Sequence, residues 1–260
     1  MASSFAHVAI TGASSGIGAA LAEAHAAPGV RLVLGGRDAA RLAAVAARCR
    51  EKGAEAAVQC VDVTDAAAMR GFIEAADDLR PLDLVYANAG LGGLRALAAP
   101  DGEAIEAAHA IIATNLAGVV NTVAPALRRF VPRGAGHLVL VGSLAGRLGL
   151  PHSPVYSASK AAVAAYADGL RRLTARTGVT VTLIEPGFVK TPMAEGVPSS
   201  ALMQWSAPRA AAAIRAAVEA RRPVYAFPFA LAALLHLARH LPRPLVDAIL
   251  SAAHRKSGQP

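Results

Sequence analysis

The sequence predicts an α/β fold, a doubly wound parallel sheet of about seven strands with helices on both faces. Three observations predict it. Short apolar runs alternate with helix-forming segments along most of the 260 residues. The first of them, Ala6-His7-Val8-Ala9-Ile10, runs into a glycine loop and then a helix former. The chemically suggestive stretches fall just past the ends of apolar runs, which is where ligands bind in such sheets.

Composition sets the outer limits. A hydrophobic content of 54% in 260 residues suits one α/β domain over residues 1-260. The net charge of +8 raises nucleic acid as a partner, but aromatic content is only 4% and the arginines are scattered, so stacking platforms and basic clusters are missing. Cys49 and Cys60 form neither a C-x-x-C pair nor part of a His/Cys cluster, so no disulfide framework and no metal site are expected. The first residues carry no Lys or Arg before an apolar run, so a cleaved signal peptide is not expected and a cytoplasmic location is.

Thr11-Gly12-Ala13-Ser14-Ser15-Gly16-Ile17-Gly18 follows the first strand, and a helix from Ala19 to Ala26 stops at Pro28-Gly29. Strand, glycine loop and helix N-terminus are what a dinucleotide pyrophosphate needs: close backbone approach, unpaired N–H groups and the positive end of a helix dipole. The second strand, Arg31 to Leu34, ends at Gly35-Gly36-Arg37-Asp38. An acidic residue here would favour NAD, whereas an arginine binds a 2′-phosphate in a fork. Position 37 is arginine, so NADP(H) is favoured with Arg37 as phosphate ligand, NAD(H) remaining possible; Asp38 reads as an N-cap.

A helix at Ala39 to Lys52 and a strand at Ala56 to Val61 follow, closed by Asp62-Val63, with Asp62 either capping the next loop or touching an adenine ring. Helix Asp65 to Leu79 and strand Leu82 to Tyr86 lead to Ala87-Asn88-Ala89-Gly90. One helical segment from Gly102 to Phe130, ending at Pro132, holds Asn115 among apolar neighbours, which suggests a buried polar role. The strand at His137 to Val141 delivers Ser143. Thirteen residues on lies Tyr156, and Lys160 shares its helical face at i+4. An ammonium roughly 5 Å from a phenol, at an effective dielectric of about 20, favours the tyrosinate by about 3 kcal/mol, or about two pKa units. That makes Tyr156 a candidate general acid or base, with Ser143 holding the substrate oxygen.

Strand Val179 to Ile184 delivers Glu185-Pro186-Gly187-Phe188-Val189-Lys190-Thr191. Residues 191-207, rich in Pro, Ser and Met and holding Trp205, read as a substrate lid. Helix Ala207 to Ala220 and strand Pro223 to Phe227 complete the sheet, and 228-260 form a helical C-terminal extension. Its stripe Leu231, Leu234, Leu235, Ala238 and Leu241 is too short and too charged to span a bilayer; a pocket wall or subunit contact is favoured over peripheral membrane contact.

Taken together these residues resemble the short-chain dehydrogenase/reductase family over about Phe5 to Met193. The resemblance implies a single-domain Rossmann fold. It makes Gly12, Ser14, Ser15, Gly16, Ile17 and Gly18 the cofactor loop, Asp62 and Val63 the adenine contact, and Asn88, Ala89 and Gly90 the central-strand motif. Pro186 and Gly187, with Val189 and Thr191, match its nicotinamide-side loop. Asn115, Ser143, Tyr156 and Lys160 match its catalytic four, with Tyr156 and Lys160 also touching the cofactor and Asn115 holding a water. The family often has Asn where this chain has Ala87, which bears on one strand contact. The implied activity is NADP(H)-dependent interconversion of a carbonyl and a secondary alcohol, in a homodimer or homotetramer. Leu91, Leu144, Leu150, Phe188, Met193 and Trp205 suggest an apolar substrate pocket. An NAD-dependent alcohol dehydrogenase and a non-catalytic NADP-binding regulator are the alternatives.

Overall fold

The computed structural model describes residues 5–92, 104–151, 153–194 and 204–248. Seven strands form one parallel sheet: β1 (His7–Thr11), β2 (Arg31–Gly36), β3 (Glu55–Cys60), β4 (Leu84–Ala87), β5 (Gly136–Val141), β6 (Val179–Pro186) and, after the short pair β7 (Val189–Lys190) and β8 (Trp205–Ser206), β9 (Val224–Phe227). Their spatial order is β3-β2-β1-β4-β5-β6-β9. The chain therefore winds outward from β1 in one direction and then from β4 in the other, leaving a crevice between the carboxyl ends of β1 and β4.

Alternation along each strand decides which layer a side chain enters. Val8, Ile10, Leu32, Leu34, Leu84 and Tyr86 pack under α1 (Gly16–His25), α2 (Ala39–Glu51) and α7 (Ala207–Glu219). Ala9, Val33, Val85, Ala87, Leu138 and Leu140 face the opposite layer, built by α3 (Ala66–Leu79), α5 (Gly118–Arg133) and α6 (Pro154–Leu173). Strands buried on both sides have no polar face, which is why they read as continuous apolar runs.

Two departures from expectation bear on the site. The single helix expected over Gly102 to Phe130 is α4 (Ile105–Ile112), a π-helical turn (Ala113–Ala117) and α5, with residues 102–103 outside the described set. The helix also continues through Pro125 and Pro132 to Arg133. Pro125 removes the donor to the Asn121 carbonyl, but burial of Val119, Val123, Ala126 and Phe130 along one face offsets that loss. By length and composition the 29 residues Ile105–Arg133 are apolar enough to cross a bilayer, with hydropathy 1.5; in the fold they form a layer on the sheet. The other departure is the β7–β8 pair, which no sequence pattern announced: Val189 pairs with Trp205.

At the amino-terminal end of the sheet, away from the crevice, Phe5 packs edge-on to His25 and His137, with ring centroids 6.5 and 5.7 Å apart. Burial, reinforced by the nearby cations Arg215 and Arg221, pushes His25 down to about 3 and His137 to about 4. Both are neutral when folded, while the unfolded chain takes up protons near 6.5. Their contribution is fully present above about pH 6.5 and is lost as pH falls towards 4, at about 3 kcal/mol for His137 alone. Urea unfolding at pH 7.5 and 4.5 is expected to show a lower midpoint at acid pH, with the difference reduced in His137→Gln. An equal acid shift in that variant contradicts the assignment.

Candidate active site

The loop after β1 is braced from the next strand. Thr11 Oγ1 donates to the Tyr86 carbonyl and accepts from Asn88 N at 3.1 Å, while Asn88 Nδ2 donates to the Thr11 and Gly12 carbonyls at 2.9 and 3.3 Å. Gly12 (φ 65°) and Gly16 (φ 56°) adopt left-handed backbone, and a Cβ on Gly18 would collide with the Gly12 carbonyl oxygen. Ser15 caps α1 without a side-chain bond, so the first N–H groups of the helix remain available to a ligand. Ala87 is buried in the apolar layer beside α5, and the side-chain bonds from this segment to the loop come from Asn88.

At the tip of β2, Asp38 caps α2 by accepting from Arg41 N, and its carboxylate also pairs with the Arg41 side chain at 3.1 Å. The Arg37 guanidinium is 67% exposed and stands 3.8 Å from Asp62. Asp62 Oδ1 accepts from both N and Oγ1 of Thr64 at 2.9 Å, bonds that hold its carboxyl below the usual range, with Arg37 adding to the effect. Asp62 is thus a loop cap that also lines the cavity. Arg41 lines it too, a second cation that sequence reasoning missed although it sits one helical turn from Arg37.

Asn115 is fully buried in the π turn, as its apolar neighbours suggested. Its Oδ1 accepts from Leu91 N at 2.7 Å, and its Nδ2 donates to the Leu91 carbonyl at 3.0 Å and to Ser159 Oγ at 3.2 Å. Both amide donors are used on the loop after β4 and on α6, so only a lone pair of Oδ1 is left for a water.

Ser143 lies just past β5. Its Oγ accepts from Ala145 N at 3.1 Å, donates to the Pro186 carbonyl at 3.4 Å and stands beside the Tyr156 hydroxyl, whose ionised form it favours. The 3-10 turn Leu144–Gly146 then presses on α6: a Cβ on Gly146 would lie 2.7 Å from the Lys160 carbonyl carbon and 2.8 Å from Ala161 N. Only glycine allows that approach, which sets the separation of Ser143 from Tyr156; nothing in the sequence marked Gly146.

The Tyr156 and Lys160 pair differs electrostatically from expectation. Lys160 is buried, donates to the Val141 carbonyl at 3.0 Å and holds its ammonium 5.8 Å from the Tyr156 ring centre. Burial lowers Lys160 to about 8. Burial raises Tyr156, and the bond to Ser143 offsets part of that rise. Desolvation of the phenol therefore outweighs the contribution of Ser143, and Tyr156 is a protonated phenol at neutral pH.

Ser143, Tyr156 and Lys160 line one cavity of about 770 Å³ together with Arg37 and the cofactor loop, while the buried Asn115 does not line it. Gly12, Ser14, Ser15, Ile17, Val63, Ala89, Gly90, Gly187, Val189 and Thr191 all line it. Beyond Tyr156 the wall is apolar: Leu91, Leu144, Leu150, Phe188 and Met193 as expected, and also Leu148, Leu231 and Leu235. The last two come from α8 (Phe229–Ala238), so the C-terminal stripe is in part a pocket wall. Trp205 is a correction. It stacks on Phe227 at 4.7 Å and under the Arg209 guanidinium at 4.1 Å, held there by the β7–β8 pair, and does not line the cavity. Residues 195–203 of the expected lid and 249–260 of the extension lie outside the described residues. Among the described residues no three His, Cys, Asp or Glu side chains gather as a metal site.

Known proteins are similar to this chain in sequence and fold. The family model for short chain dehydrogenase matches residues 6–201. An uncharacterized oxidoreductase of Myxococcus xanthus is 38% identical over 242 residues, 92% of this chain and 94% of its own. A short-chain dehydrogenase from Sphingobium yanoikuyae in complex with NADPH superposes with a TM-score of 0.78 at 26% identity, covering 98% of this chain and 96% of that one. One from Burkholderia phymatum in complex with NAD gives 0.77 at 27% identity over 89% and 92%.

Proposed function

Because the chain belongs to the short-chain dehydrogenase/reductase family and is an oxidoreductase of it, we propose that it reduces a carbonyl on an apolar substrate to a secondary alcohol with NADPH, Tyr156 giving the proton. The observation that carries this reading is that Ser143, Tyr156 and Lys160 line the same cavity as the glycine cradle and the apolar wall. NADPH supplies the hydride when bound. The cradle suits it: the glycines would admit the pyrophosphate, the N–H groups at the start of α1 would bind it, and Arg37 and Arg41, which line the same cavity, would hold the 2′-phosphate.

The chain's own residues do the rest. Ser143 Oγ turns its one proton from the Pro186 carbonyl, a long bond at 3.4 Å, to the substrate oxygen and so positions it. Tyr156 Oη donates its proton to that oxygen as negative charge develops there. Lys160, buried and charged below about pH 8, favours the tyrosinate left behind and so assists release of the proton. Asn115 ties the Leu91 backbone to α6 and keeps that wall in register. Among the described lining residues beyond Tyr156 no side chain is charged, which supports a neutral, hydrocarbon-rich substrate.

The test is NADPH consumption against a panel of aliphatic and aromatic ketones. Faster turnover with apolar ketones than with keto acids supports the reading. Binding of NADPH without turnover of any carbonyl supports the regulator instead.

Exposed Ile105, Ile112, Val120 and Val131 on the α4–α5 face support a homo-oligomer, expected in sedimentation equilibrium as a mass above 26.4 kDa. Free Cys49 and Cys60 agree with a reducing cytoplasm.

A further inference from the structure

The mechanism makes no use of Arg147, yet this charged side chain is only 16% exposed and its partner Glu185 only 6%. Arg147 directly follows the Leu144–Gly146 turn, and Glu185 directly precedes Pro186. Nε of Arg147 donates to Glu185 Oε2 at 3.1 Å, Nη2 donates to the same oxygen, and Nη1 donates to the Ala232 carbonyl in α8 at 2.9 Å. One guanidinium thus joins the turn after Ser143, the end of β6 and α8.

Little else on α8 is built for anchorage. Ala232 is its buried residue, while Phe229, Leu234 and Leu237 are 81%, 62% and 62% exposed. Leu231, next to Ala232, and Leu235, one turn on, form the apolar end of the cavity. A buried ion pair is a poor source of stability, because desolvation cancels much of its attraction. What this pair does supply is three directed bonds from one rigid planar group, which fix a helix at a set distance from the reacting side chains.

We propose that Arg147, oriented by Glu185, is a positioning residue that clamps α8 as the far wall of the substrate cavity and so sets the size of apolar substrate that fits; this rests on the reductase reading of the site. Neither side chain reaches the reacting atoms. Their effect runs through the place of Leu231 and Leu235.

The test compares wild type with Arg147→Met, Arg147→Lys and the double variant Arg147→Met/Glu185→Met, which leaves no unpaired buried charge if the single variants fail to fold. The probes are a methyl ketone series from acetone to 2-decanone with NADPH, and hydrogen exchange of residues 229–238. Loss of the clamp is expected to speed exchange in α8 by about 10-fold or more. It is expected to raise KM for the long ketones about 10-fold while kcat and the acetone KM change less than about 2-fold. Arg147→Lys is expected not to rescue, since one ammonium cannot supply the three directed bonds. Leu235→Ala should reproduce the chain-length pattern without faster exchange. Unchanged α8 exchange in the double variant, or an equal loss on acetone and 2-decanone through kcat, overturns the clamp. If no ketone turns over, the reductase reading fails and the exchange result still decides the clamp; Tyr156→Phe should abolish turnover with α8 exchange as in wild type.

Discussion

Tyr156→Phe is expected to lower kcat for ketone reduction by about 10²- to 10⁴-fold, the range of a lost general acid, while NADPH affinity stays within about 3-fold. The substitution removes one hydroxyl and keeps the ring in place, so the cavity wall survives. Ser143 keeps the bond from Ala145 N and remains able to turn its proton from the Pro186 carbonyl to a substrate oxygen, but no proton is transferred from position 156. The wild-type pH profile has a direction of its own. Burial keeps the phenol protonated at neutral pH, so the acid form is not limiting there; Lys160 loses its charge as pH rises through about 8, and reduction is expected to slow above that value. Stopped-flow single turnovers of wild type and variant check both points. Retention of more than about a tenth of wild-type kcat in the variant would remove Tyr156 from the acid role.

Arg37→Asp is expected to weaken NADPH binding by about 100-fold and to leave NADH binding equal or tighter. A fork from a guanidinium to a phosphate contributes about 1.5 to 3 kcal/mol, and an aspartate at the same place adds repulsion. Arg37 is largely solvent-exposed and only loosely paired to Asp62, so the substitution disturbs no buried contact. Arg41 remains as a second cation within the same cavity, which limits the loss; Arg37→Asp/Arg41→Ala is expected to lose more. Fluorescence titration with each cofactor measures this, and equal losses for NADPH and NADH would show that Arg37 does not read the 2′-phosphate.

The parts legible in the sequence were those governed by local rules. Strands buried on both faces announce themselves as apolar runs, and a glycine loop between strand and helix needs no tertiary information. Asp38 was readable as a cap because its bond is to a backbone three residues away. Long-range features were not legible. Gly146 is required only because the turn after Ser143 meets α6, a contact between segments 14 residues apart whose closeness no spacing encodes. Arg147 finds Glu185 and Ala232 only in the folded chain. Trp205 was read as a pocket aromatic from the composition around it, whereas its stacking on Phe227 depends on a two-residue strand pair too short to leave a pattern. The electrostatic balance at Tyr156 was hidden for the same reason. Spacing shows that a lysine is near but not how far burial has desolvated the phenol.

The most direct test of the central claim is isotopic. NADPH carrying deuterium at both C4 positions of the nicotinamide is incubated with the enzyme and an apolar ketone, and the alcohol is read by mass spectrometry. The account predicts one deuterium on the carbinol carbon in wild type, on one face only, and almost no labelled alcohol from Tyr156→Phe at equal NADPH occupancy. Alcohol formed without the label, or labelled equally well by the variant, would contradict it.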